Sequence, residues 1–336
     1  MRIDAHVHFV GNGSAGSGCW FRLRGWPRAA APWLMRSMGL RRADLQGDLD
    51  RIYWERLREH LAGSSLDAVA VFAQDAVYRE DGVLWEGRGT FYVPNDVVLR
   101  LAQEDARVLP VVSIHPARPD ALEELARCVA AGAVAVKLLP NCHNVDCGLP
   151  RYRGFWEQLA AQGLPLIAHT GGEHSVDQVR PELADPRNLL CPLELGVTVI
   201  AAHCGCGSGF FGADYLPAFR DMLTRFPRLY GDTAAFNLPN RIRCLRACLR
   251  PGVVERLVHG SDLPVPVFAH PGLVAGLFGL RTWWRLRQIP NPLERDYQLK
   301  RAMGFPAEVF TRAAQVLRLP AAGSGAAPPA RREARG

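Results

Sequence analysis

Short runs of apolar and β-branched residues recur along this chain at Arg2–His8, Asp67–Phe72, Val108–Ile114, Ala133–Leu138, Leu164–His169, Val197–Ala202, Arg228–Gly231 and Arg256–His259. Between them lie stretches of helical length that carry apolar residues on one face, such as Asp48–Leu61, Asn95–Ala106, Asp120–Ala131, Gly154–Gln162, Tyr215–Phe226 and Asn240–Leu249. Strands that alternate with helices pair in parallel, because each return crossing needs about a helix's length. Eight such units predict an α/β protein, a (β/α)8 TIM barrel whose working end is the rim at the C-terminal ends of the strands. Two more helical segments, Pro292–Met303 and Ala307–Leu317, are expected to pack on the outside of the barrel. The connections after strands one and two, residues 9–46 and 74–93, are too long for ordinary βα loops and are expected to be functional. The pattern therefore reads as one barrel domain over residues 1–317, with 9–46 as an inserted lid loop, and a disordered tail over 320–336.

The polar residues that interrupt the apolar runs fall at strand ends: His6 and His8, Lys137, His169, His203, and Asp262 just past the last strand. Side chains at i and i+2 of a strand share a face, so both imidazoles of His6-Val7-His8 can reach one cation. Any one of these histidines alone would read as a hydrogen-bonded core residue. The whole set at the catalytic rim reads as a site, and neutral imidazoles with a carboxylate suit zinc or a similar divalent metal. Such a metal lowers the pKa of bound water from about 15.7 to about 7. Asp262 can take a proton from that water and return it to a leaving group, while His203 orients the water or polarises a substrate oxygen.

The ordered succession His6-Val7-His8, Lys137 in Val-Lys-Leu-Leu-Pro, His169 in Ala-His-Thr-Gly-Gly, His203 in Ala-Ala-His-Cys-Gly and Asp262 in Gly-Ser-Asp-Leu-Pro resembles the amidohydrolase superfamily. It is most similar to the amidohydrolase-related branch that includes aminocarboxymuconate-semialdehyde decarboxylase and the resorcylate-type decarboxylases. The resemblance implies a divalent metal, zinc first and manganese second, held by His6, His8, His169 and Asp262, with His203 beside the bound water. It implies the machinery better than the substrate. The first reading is a metal-dependent hydrolase that sends a metal-activated water at an amide, lactone or related C–N or C–O bond of a small organic molecule. The alternative enzyme is a non-oxidative decarboxylase of an aromatic or muconate-type acid, in which Asp262 protonates carbon. A reading from another class is a non-catalytic barrel that serves as a binding protein.

Lys137 stands out because it is one of two lysines among 40 Lys and Arg residues. An amine that loses its charge can form a carbamate bridging two metals, or as an ammonium it can pair with a substrate carboxylate or with a neighbouring protein carboxylate. His143, after the fourth strand, and Glu173, in the Gly-rich loop after His169, are candidates to touch substrate. Asp232, after the seventh strand, is a candidate to orient a ligating imidazole. The 9–46 insertion opens Gly-rich and then carries Trp20, Phe21, Trp26, Trp33, Met35 and Met38 among arginines, a composition that fits a lid over the pocket or a homodimer contact.

A net charge of +7 with no basic helix interleaved with aromatics argues against nucleic acid as a partner. No apolar run of membrane-spanning length is present, no leader is expected because the His6-Val7-His8 strand starts at residue 3, and the nine cysteines are odd in number and scattered, so reduced thiols in the cytoplasm are expected. Cys204 and Cys206, beside His203, read as small loop-packing residues.

Overall fold

The computed structural model describes residues 1–22, 36, 38–173, 175–209 and 213–320. Eight parallel strands form the barrel: β1 Ile3–His8, β2 Ala68–Phe72, β3 Val108–Val112, β4 Ala135–Leu138, β5 Leu166–His169, β6 Val199–Ala202, β7 Leu229–Asp232 and β8 Leu257–Val258. Each pairs with its neighbours in chain order, as helical crossovers require. The first crossover helix, α1 (Leu49–Ala62), shows how the pattern becomes structure. Asp48 caps its N-terminus by accepting from the Arg51 amide, and Leu49, Tyr53, Leu57 and Leu61 recur at four-residue spacing on its buried face. Tyr53 also donates its hydroxyl proton to the carbonyl of His8 at 2.6 Å, tying α1 to the end of β1.

The interior of the barrel is filled by Ile3, Ala5, Ala70, Phe72, Val111, Ile167 and Ile200, among others. A second core, between the barrel and its helices, takes the opposite faces, including Val7, Val69, Val71, Val136, Leu166 and Val199. Strict alternation along β1 would send Val7 inward with Ile3 and Ala5, and would turn His6 and His8 out towards the helices. The register prevents this: Ile3 and Asp4 face Ala68 and Val69, whereas Val7 and His8 face Val71 and Phe72, so one extra residue is bulged into β1. The bulge re-aims both imidazoles into the barrel, a common use of bulges near functional sites. The His6 amide freed from the ladder donates to Asp4 Oδ1 at 3.1 Å, and the same oxygen accepts from the Ser261 amide at 2.9 Å.

That second contact belongs to the seam where the barrel closes. The chain after β8 runs along β1 with single backbone bonds: the Ala5 amide donates to the His259 carbonyl at 2.8 Å, Asp262 to His6 at 2.9 Å, and His8 to Leu263 at 2.8 Å. Gly260 sits on this seam because a Cβ there would lie 2.7 Å from the Cβ of His6.

The C-terminal helices divide their work. Pro292–Ala302 packs on the barrel's flank against α1, as expected from the sequence. The expected helix over 307–317 is instead broken into Ala307–Thr311 and Ala313–Val316. It does not lie only on the outside: Ala313, Val316 and Leu317 enter the interior core with Ile3, Ala68 and Leu109, closing the floor of the barrel where small alanines leave room.

The two long loops fold onto each other. Trp20–Phe21 pairs antiparallel with Phe91–Tyr92, and the Trp20 and Tyr92 rings stack at 6.0 Å. Trp26, Trp33 and Met35 of the expected lid, His174, and the expected tail beyond Pro320 lie outside the described residues. Among the described residues, no helix is long and apolar enough to cross a membrane.

The second lysine, Lys300 on Pro292–Ala302, is fully buried behind the seam. Its ammonium donates to Asp296 Oδ2 at 2.5 Å and to the carbonyl of Gly260 at 2.6 Å, while Asn237 donates to the other Asp296 oxygen at 2.6 Å. Breaking a buried pair leaves its partner charge uncompensated, so Lys300→Met is expected to cost about 3–5 kcal/mol in urea denaturation. Lys300→Met combined with Asp296→Leu is expected to recover most of that loss.

Candidate active site at the barrel seam

The bulge of β1 and the turn after β8 bring three acceptor atoms together. His6 Nε2 lies 3.2 Å from His8 Nε2 and 3.2 Å from Asp262 Oδ1, and His8 Nε2 lies 3.3 Å from the same carboxylate oxygen. His203, from the turn after β6, joins His6 and Asp262 in a group whose donor atoms all lie within 4.8 Å of one another. The His203 and Asp262 backbones adopt left-handed conformations, with φ of 62° and 70°. Such conformations are costly for residues with a Cβ and occur where the surrounding structure fixes them, often at functional sites.

The hydrogen bonds decide which ring nitrogens face the centre. His6 Nδ1 is 2.7 Å from Asp232 Oδ2, so that ring donates there and keeps the Nε2 lone pair for the cavity. His203 Nδ1 lies 3.0 Å from the Ala234 carbonyl, which can only accept, so this ring too presents an unprotonated Nε2. The other oxygen of Asp232 accepts from the His203 and Ala234 amides at 2.8 and 3.1 Å. Asp232, the last residue of β7, therefore holds both the His6 ring and the backbone of the His203 turn.

Burial and charge set the protonation states. Burial pushes His8 down to about 4 and His203 down to about 3, and pushes His169 well below the ordinary range. For Asp262 burial acts upward, but His6, His8 and His203 outweigh it and hold the carboxyl well below the usual carboxylate range. For His6, burial and Lys137 act downward, and Asp232 and Asp262 together raise it. Lys137 is pushed down to about 8 by burial, against the pull of Asp232, Asp262 and Glu173. Glu173 is raised by burial and accepts a backbone hydrogen bond from Val176 at 3.1 Å.

The residues singled out in the sequence converge on one cavity of about 200 Å³, lined by His6, His8, Lys137, His169, Glu173, His203 and Asp262. Lys137 Nζ is 3.5 Å from His6 Nε2 and rests 4.9 Å from the centre of the Phe72 ring, which also underlies His6. Among the described residues, no carboxylate forms an ion pair with Lys137. His169 stands beside His203, with ring centres 5.0 Å apart, and its buried Nε2 has no hydrogen-bond partner. His143 is set apart from the cavity: its Nδ1 accepts from the Leu139 amide, its Nε2 meets the Gln74 amide at 2.6 Å, and its carbonyl accepts from His115. Cys204 and Cys206 are buried, and the Cys204 thiol donates to the Asp232 carbonyl at 3.2 Å, as packing residues of the loop.

Several supporting residues were not foreseen. Asp4 holds the bulge, and an acid inside an apolar strand was a signal for it. Arg241, almost fully buried, joins the His169 and His203 loops by donating to the carbonyls of Gly172 and Cys206 at 2.9 and 3.1 Å. Nothing in an arginine-rich sequence marked it.

The donor set fits a divalent cation. Two imidazole nitrogens and a carboxylate oxygen crowd within 3.3 Å, an arrangement that needs positive charge at its centre. His169, whose buried Nε2 has no hydrogen-bond partner, lines the same cavity. Partners of ligating histidines typically contribute 10–100-fold to metal affinity. Asp232→Asn is therefore expected to weaken zinc binding by about 10–100-fold in chelator competition.

A family model described as amidohydrolase matches residues 3–303. No curated protein matches the chain. Among solved structures, the 5-carboxyvanillate decarboxylase of Sphingomonas paucimobilis is similar, with 12% identity, a TM-score of 0.56 and coverage of 95% of this chain and 99% of that one. A probable 2-pyrone-4,6-dicarboxylic acid hydrolase of Acinetobacter baumannii, solved with citric acid bound, gives 15% identity, a TM-score of 0.53 and coverage of 90% and 99%. An uncharacterized TIM-barrel protein of Bordetella bronchiseptica gives 16% identity, a TM-score of 0.54 and the same coverage. At these identities the likeness is one of fold.

Proposed function

The chain belongs to the amidohydrolase family, and on that premise we propose that it is a divalent-metal-dependent hydrolase acting on an amide, lactone or related bond of a small organic molecule. The observation that carries this reading is the triangle of His6 Nε2, His8 Nε2 and Asp262 Oδ1, with sides of 3.2–3.3 Å, in a cavity that His203 and His169 also line. The residues that would hold the metal are His6, His8 and Asp262, with His169 and His203 completing the set. A cation bound there supplies Lewis-acid activation of water and of a substrate carbonyl.

The protein's own groups do the rest. Asp262 is ionised, so it can accept a proton from the attacking water and then deliver it to the leaving nitrogen or oxygen. Asp232 keeps the His6 ring from rotating and fixes its tautomer. Lys137, whose charge is already destabilised by burial, stands where developing negative charge on the substrate would be stabilised. Phe21 and Phe91 of the paired loops line the apolar wall of the cavity.

The same donors serve a carboxy-lyase, in which Asp262 would protonate carbon, and Lys137 beside the cavity supports that second reading by offering a partner for a substrate carboxylate. Elemental mass spectrometry on protein purified without chelators is expected to find about one ion per chain. The hydrolase reading is then tested by incubating the loaded protein with lactones, anilides and aromatic carboxylic acids. Ring opening or amine release supports it, and carbon dioxide release with no hydrolysis replaces it with the carboxy-lyase. On whichever substrate turns over, Asp262→Asn is expected to lower kcat by about 10²–10⁴-fold. Turnover that survives this change would remove Asp262 from the proton-transfer role.

A further inference from the structure

A charged pair sealed in a protein core is weak evidence for stability, because apolar residues of similar volume often serve as well or better. What apolar residues cannot supply is hydrogen bonds aimed at chosen points of the chain. Lys300 and Asp296 stand one turn apart on the Pro292–Ala302 helix, and both are fully buried. Their bonds go to the two turns that carry much of the site. In the turn after β8, the Lys300 ammonium donates to the Gly260 carbonyl at 2.6 Å, two residues before Asp262. In the turn after β7, Asp296 Oδ1 accepts from Asn237 Nδ2 at 2.6 Å, three residues after Ala234, whose carbonyl holds the His203 ring at 3.0 Å. The ion pair, 2.5 Å between Lys300 Nζ and Asp296 Oδ2, joins the two. Direct bonds between the turns are longer: the Gly260 amide donates to Thr233 Oγ1 at 3.2 Å, and the Ala235 amide to the Ser261 carbonyl at 3.4 Å. Each turn also holds a left-handed residue, Asp262 with φ of 70° and Ala235 with φ of 58°. Such backbone persists where the surrounding contacts over-determine it.

We infer that Lys300 and Asp296 are positioning residues of the metal centre: they clamp the Asp262 turn to the Ala234–Asn237 turn and so keep the Asp262 carboxylate and the His203 imidazole at the separation that one cation needs. This rests on the metal-dependent reading above and deepens it. Neither side chain lines the cavity, so the pair acts through Gly260 and Asn237 and not on substrate. The donor atoms of His6, His203 and Asp262 lie within 4.8 Å of one another, although they come from three segments distant in sequence. A metal accepts each donor within about 0.2 Å of its preferred distance, so slack between these turns weakens the whole set. Loss of the pair should therefore loosen the ion even in a protein that is as stable as before.

The test compares the full-length wild type with two variants, Lys300→Met combined with Asp296→Leu, and Leu299→Ala. The paired change puts apolar side chains in place of the ion pair and deletes both bonds to the turns. Leu299→Ala, at a fully buried position of the same helix, removes packing but no hydrogen bond. Zinc affinity is read by chelator competition, site geometry by the visible spectrum of the cobalt-loaded protein, and stability by urea denaturation. The paired change is expected to weaken zinc by about tenfold or more and to alter the cobalt spectrum, with a urea midpoint near that of the wild type. Leu299→Ala is expected to lower the urea midpoint and to leave zinc affinity and spectrum unchanged. A paired variant that keeps the wild-type affinity or spectrum would overturn the inference, as would equal losses in Leu299→Ala. Should the paired variant not fold, Asn237→Ala, which cuts the Asp296 arm alone, is measured in its place, and wild-type zinc affinity there overturns the inference equally. A wild type that takes up neither zinc nor cobalt fails the metal-dependent reading and the clamp with it. A wild type that loads zinc no better than the paired variant fails the clamp alone.

Discussion

The one-residue bulge in β1 governs the rest of the architecture. Without it, the period-two geometry of a strand would place Val7 inside the barrel and turn His6 and His8 away from Asp262. The cost of a bulge is an unpaired backbone group, and here the Asp4 carboxylate satisfies it while also gripping the Ser261 amide across the seam. A single buried acid thus fixes the orientation of the first strand and its closure against the last. Burial pushes Asp4 up to about 6, against the hydrogen bonds it accepts. The seam and the histidine–carboxylate cluster are in effect one structure, since His6, His8, Gly260, Ser261 and Asp262 all lie on it.

Charge in the cavity is distributed by partner rather than by exposure. Asp232, Asp262 and Glu173 are all buried or nearly so, and burial pushes each upward. Asp232 and Asp262 end below the ordinary range because each faces imidazoles, whereas Glu173 ends above it. Asp232 and Asp262 stand 2.7–3.3 Å from imidazole nitrogens, whereas Glu173 stands 3.8 Å from the His169 ring. Burial keeps His8, His169 and His203 neutral, whereas Asp232 and Asp262 push His6 upward, so a cation taken up here would displace a proton from His6.

Much of this was readable from the sequence, because the features concerned are local. The barrel strands announce themselves as apolar runs, and the polar residues that end them stand out against those runs. Strand ends were less accurate: the eighth shrinks to Leu257–Val258 because the chain leaves the ladder to follow β1. The bulge could not be read, since His6-Val7-His8 looks the same whichever face it presents and only the register against β2 decides. The floor formed by Ala313, Val316 and Leu317 was misplaced for a similar reason: an amphipathic segment shows that it buries a face, not which core receives it. His143 and Lys137 show the limit for single residues. Lys137 lies in β4 and His143 in the turn that follows it, yet the His143 ring is spent on Gln74 and Leu139 while the Lys137 amine reaches the cavity.

The seam also sets an order of events during synthesis. Its partners lie at opposite ends of the domain: Ala5, His6 and His8 bond to His259, Asp262 and Leu263, and His259 in turn donates to Val309. A ribosome releases the first imidazoles about 250 residues before the carboxylate that completes their triangle, so the nascent chain carries His6 and His8 without their cavity through most of translation. Contacts this distant in sequence form late in folding. Metal capture at this centre would therefore mark the end of folding, and a ribosome-stalled chain ending before Asp262 would lack the site even with seven strands already made.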